Sequence, residues 1–86
     1  MTTLNYHLAG IGMVALDEAK MRERADKAGA MADLNERDGQ AYIAREWRAA
    51  KAHWLIATEL HERGMNHVHK VQANIWRACK HERAAS

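Results

Sequence analysis

Two apolar stripes can be drawn at helical spacing along residues 40–63, and this doubling constrains the fold more than any other feature of the chain. One stripe is Ile43, Trp47, Ala50, Trp54 and Ala57. The other, about 100° around the axis, is Tyr42, Ala49, His53, Ile56 and Leu60. A helix on a protein surface needs one stripe. Two stripes put neighbours on two sides, so this helix is expected at the centre of the fold.

Composition points the same way. The 86 residues contain no Pro and no Phe, and Val, Ile and Thr total only ten. Strands favour β-branched and aromatic residues, whereas helices favour Ala, Leu, Glu, Lys, Arg and Met. A sheet is therefore not expected. The length suits a single domain over residues 1–86.

A first helix is expected over residues 3–33, with Thr2 or Thr3 capping its first turn. Leu4, Leu8, Ile11 and Ala15 share one face. Val14, Met21, Ala25, Ala28 and Ala32 continue the seam with a slight rotation, which suits a neighbour crossing at an angle. Gly10 and Gly12 interrupt this pattern, each at about 1 kcal/mol relative to Ala. They read as a kink or a late helix start, or as a place where another backbone comes close. Asn35 to Gly39 is a turn signal, and Asp38 is a candidate cap for the second helix. Gly64 is expected to end the second helix in a left-handed cap, and Asn66 to cap a third over residues 66–83. Met65, Val68, Val71, Ile75, Trp76 and Cys79 form the inner face of that third helix. His67, Lys70, Arg77, Lys80 and His81 lie opposite.

The expected fold is all-α: a three-helix antiparallel bundle or an assembly of helical hairpins, with the second helix central. Of 41 apolar residues 17 are Ala, so the core is thin for a small domain. An oligomer remedies this, and Ile11, Val14, Met21, Ala25, Ala28, Trp47 and Trp54 are its candidate self-association residues. Trp is enriched at interface hot spots, although Trp47 and Trp54 also read as core.

Several chemistries find no support. The longest apolar stretch, Leu8 to Leu16, is far short of the roughly 20 residues that span a bilayer, and nothing flanking it reads as a signal peptide. A lone Cys79 builds no disulfide framework, which fits a cytoplasmic protein. His67 and His69 point about 200° apart on a helix and cannot share an ion. No Glu-x-x-His pair suggests a carboxylate-bridged metal centre. Neither a phosphate loop nor a nucleophile elbow is present. Neither catalysis nor a cofactor nor a metal is expected.

Charge is unevenly placed. Residues 1–42 carry five basic and seven acidic groups, and residues 43–86 carry eight and four. Four of the six His fall in residues 61–81, so this half gains positive charge toward pH 6. The five outward residues of the third helix are thus the candidate partner-binding set. The leading expectation is a small cytoplasmic protein-binding module, an adaptor or inhibitor of the accessory kind carried by phages and plasmids. It would act by protein–protein contact and self-association. The second is a small nucleic-acid-binding regulator that uses the same basic face. The Leu60–Val71 run matches a helix-turn-helix only in outline, because several residues separate the apolar anchor from Gly64.

Overall fold

The structure, a computed structural model, describes residues 3–86 apart from the side chain of Met65. The cap expected at Thr2 and the inner-face position of Met65 lie outside the described residues. Helix fills most of the chain, in three segments, and a small two-stranded sheet precedes them.

The expected helix over residues 3–33 is corrected in its first half. Leu4–Leu8 (β1) and Gly12–Leu16 (β2) pair antiparallel, with Leu4 opposite Leu16, Tyr6 opposite Val14 and Leu8 opposite Gly12. The reason is visible in the side chains. Tyr6 and Leu8 are buried and Leu4 half-buried, whereas Asn5 and His7 are exposed, so the period here is two. The Ile11 amide donates to the Leu8 carbonyl at 3.0 Å to close the turn. Gly10 at φ 82° and Gly12 at φ 102° adopt the left-handed backbone this turn needs.

Helix α1 covers Glu18–Arg37. Asp17 caps it, its Oδ1 accepting the Lys20 amide at 2.9 Å. Met21, Ala25, Ala28 and Ala32 form its buried seam. Asp38 closes the end of α1 rather than capping the next helix. Helix α2 covers Ala41–Glu62, and Gly64 follows it at φ 104°. A single 3₁₀ turn over Met65–His67 leads into α3, Val68–Ala85. That turn moves the start of α3 past Asn66, so Asn66 does not cap it; the capping position is His67, without a side-chain bond.

Helix α2 is central. Against α1 it pairs Arg48 with Glu36 and Glu62 with Arg22, which sets the two helices antiparallel. Against α3 it pairs Glu46 with His81 and His53 with Asn74, again antiparallel. Ala50, Trp54 and Ala57 from the first stripe are buried. The second stripe is only partly covered: Tyr42 is 72% exposed and Ile56 43%, while Ala49, His53 and Leu60 are half-buried. Ala44, Thr58 and His61 are buried instead. The hairpin adds Tyr6, Leu8 and Leu16 to a core with Met21, Ala25, Trp54, Val71 and Ile75. Among the described residues no helix is long and apolar enough to cross a membrane.

Candidate partner-binding face

Helix α3 buries Val71, Ile75, Ala78 and Cys79, and this throws Lys70, Arg77 and Lys80 outward into solvent. Its single carboxylate, Glu82, turns inward. Glu82 Oε2 accepts the Trp54 indole N–H at 2.6 Å, and Oε1 accepts from Arg24 at 2.7 Å. The Arg24 guanidinium also lies 5.0 Å from the centroid of the Trp54 ring. The outer face of α3 is left with cations and no anion of its own.

Trp76 corrects the expected inner face. It is 48% exposed, and Lys80 Nζ sits 5.9 Å from its ring centroid. One residue past buried Ile75 is a rotation of about 100°, which carries Trp76 off the seam. A groove of ≈ 470 Å³ runs beside it, lined by His7, His69, Gln72, Ala73, Trp76 and Arg77. A second, of ≈ 370 Å³, shares His69, Ala73 and Arg77 and adds Leu60, Lys70 and Asn74.

The expected binding set is therefore divided. Lys70 and Arg77 line grooves, and Lys80 flanks Trp76. His67 is half-buried at the start of α3. His81 is drawn toward α2, its Nδ1 2.7 Å from Glu46 Oε2 and its ring stacked on His53 with centroids 5.6 Å apart. The candidate self-association residues scatter too. Ile11 is 65% exposed in the hairpin turn and Val14 is half-buried. Met21, Ala25, Ala28 and Trp54 are buried inside the protomer. Trp47 is half-buried, and its indole N–H has no hydrogen-bond partner among the described residues.

His7 and Gln72 are the members of this face that helical reasoning missed. Gln72 accepts the His7 amide N–H and donates to the His7 carbonyl, both at 2.8 Å. The side-chain amide thus acts as a short extra strand along the outer edge of β1. This anchors the hairpin to α3 and places His7 in the groove. No family model, curated protein or solved structure matches the chain. The face is read from its own chemistry.

A polar cluster lies beneath the hairpin. The Tyr6 hydroxyl is 2.8 Å from His61 Nδ1, and Glu18 Oε1 is 3.7 Å from His61 Nε2. Burial first, and then the Glu18 charge, push the Tyr6 phenol above its ordinary pKa. Tyr6 is 1% exposed and His61 5%, and their contact ties the hairpin to α2. Burial also pushes the Cys79 thiol up, aided by the Glu82 charge. Among the described residues no three His, Cys, Asp or Glu side chains come together as metal ligands.

Proposed function

We propose that the chain is a protein-binding module that docks an acidic segment of another protein on the α3 face. The observation that carries this reading is the exposed Trp76 set among Lys70, Arg77 and Lys80, with the only α3 carboxylate withdrawn to the core. An aromatic anchor beside a groove supplies holding energy. Surrounding cations steer an acidic partner and speed its encounter. The groove along Gln72, Ala73 and Trp76 gives such a segment a place to lie.

The same pairing of an exposed indole with cations supports a second reading, single-stranded nucleic acid stacking on Trp76. One titration separates the two. An acidic peptide and a single-stranded oligonucleotide are each titrated against the wild type, Trp76→Ala, and the triple variant Lys70→Gln, Arg77→Gln, Lys80→Gln. Under the protein-binding reading the peptide binds, Trp76→Ala leaves the association rate unchanged but shortens the lifetime of the complex, and the triple variant mainly lowers the association rate. Oligonucleotide binding that weakens with salt, with a slope reduced by about one per lost cation, establishes the second reading instead. Unchanged affinity in both variants removes the face from consideration.

A further inference from the structure

The two edges of the hairpin are treated differently. Gln72 occupies the N–H and C=O of His7, so those groups point away from β2. In an antiparallel pair, directly opposed residues share their inward or outward sense. His7 is opposite Met13, and Asn5 is opposite Ala15. The backbone groups of Met13 and Ala15 therefore point outward from β2. Among the described residues nothing bonds them there. Met13 is 65% exposed and Ala15 is also exposed. The strand Gly-Met-Val-Ala-Leu has no charge and no proline, the usual guards of a free edge.

We propose that this edge pairs with β2 of a second copy of the chain, antiparallel about a two-fold axis through Val14. Met13 of each copy then exchanges both backbone bonds with Ala15 of the other, and Val14 faces Val14. The sheet becomes continuous in the order β1-β2-β2-β1. The hairpin already rests on the helices through Tyr6, Leu8 and Leu16, and the added strand bonds the edge that the fold leaves open.

Charge selects a second copy and selects this side of the molecule. The outer face of α3 is cationic and repels its own image. The β2 strand is uncharged, and in the groove beside it Lys20 and Lys27 accompany Glu23 and an Arg24 already paired with Glu82. A two-fold brings like segment to like segment, and an uncharged strand sets no charge against its own image. This surface is separate from the α3 face, so the two proposals stand or fall independently.

Sedimentation from micromolar to millimolar concentration tests the pairing. The wild type is expected at twice the chain mass. Ala15→Pro removes one outward donor without touching the β1–β2 ladder, and it should halve the sedimenting mass with an unchanged helical dichroism spectrum. Lys70→Gln with Arg77→Gln should leave the dimer intact. A wild type that stays monomeric throughout, or an Ala15→Pro variant that stays dimeric, overturns the proposal. Should Ala15→Pro fail to fold, Val14→Cys decides. Facing residues of this kind lie about 4.5 Å apart at Cα, within disulfide reach, so oxidation should yield a cross-linked dimer. Its absence overturns the register.

Discussion

The Tyr6 hydroxyl meets His61 Nδ1 at 2.8 Å across the seam between the hairpin and α2, spanning fifty-five residues of sequence. The rings stand edge to face, with centroids 5.7 Å apart at 64°. With a neutral imidazole the phenol donates to Nδ1, and the ring proton sits on Nε2, on the side of Glu18. One contact thus ties β1 to α2 and, through Glu18, to the first turn of α1. The hairpin is held from beneath by this contact and from its edge by Gln72.

Tyr6→Phe keeps the ring and removes the hydroxyl, and with it the buried bond to His61 Nδ1. A loss of about 1–3 kcal/mol is expected in urea unfolding. The pH dependence has a definite sign. The folded-state pKa of Tyr6 is raised, so the unfolded chain releases its proton first. Stability from this group is full below about pH 10 and is lost as pH climbs toward the folded value. The variant should show a flatter alkaline limb than the wild type. Identical limbs would mean that Tyr6 does not titrate late.

Glu82 joins all three helices by holding the Trp54 indole and Arg24 at once. Glu82→Ala strands a buried donor and should cost about 2 kcal/mol, most of it from the indole N–H, because Arg24 is partly solvated. Glu82→Gln restores an acceptor and should recover most of the loss. Thermal unfolding followed by tryptophan fluorescence reads both. Equal losses in the two variants would show that charge, not the hydrogen bond, dominates.

Cys79 is 4% exposed and its thiol is held protonated by burial and by the Glu82 charge. Since the thiolate is the reactive form, folded protein should react with a thiol reagent far more slowly than urea-unfolded protein at the same pH. Comparable rates would place Cys79 at the surface.

Gly29 lies inside α1, facing Lys51 of α2, and an added Cβ would sit 3.1 Å from Lys51 Nζ and 3.2 Å from its Cδ. These are atoms of a flexible, exposed side chain that can shift. Gly29→Ala should therefore keep most of the helix-propensity gain and stabilise by up to about 1 kcal/mol. A raised midpoint in urea is the expected reading, and a lowered one would mean that Lys51 is pinned.

The central helix was legible from the uninterrupted 3.6-residue period of its apolar positions, although burial falls on Ala44, Thr58 and His61 rather than on Tyr42 and Ile56 of the second stripe. Its ends were legible from Asp38-Gly39 and Gly64, where the chain leaves the helical backbone. The amphipathic register of α3 was legible too, apart from Trp76. The hairpin was not. Leu4 and Leu8 are four apart, a spacing that suits a helix turn and a strand alternation equally. Tyr6 between them, and Gly10 with Gly12 after them, carried the deciding signal.

Local patterning by itself determined three helical segments, their breaks and a cationic outer side to α3, because those depend on backbone preference and on periods of a few residues. Only tertiary structure decided how those faces were spent. The Ala seam of α1 became core because α2 and the hairpin cover it from within the same chain. His81 left the basic face because Glu46 and His53 stand opposite it on α2. Glu82 turned inward because the fully buried Trp54 offers an indole donor that needs an acceptor. Residues 4–16 became strands because Gln72, far along the chain, supplies a bonded edge, and because the groove over the helices buries Tyr6 and Leu8. Each of these outcomes turns on a contact between residues distant in sequence, and no periodicity encodes such a contact.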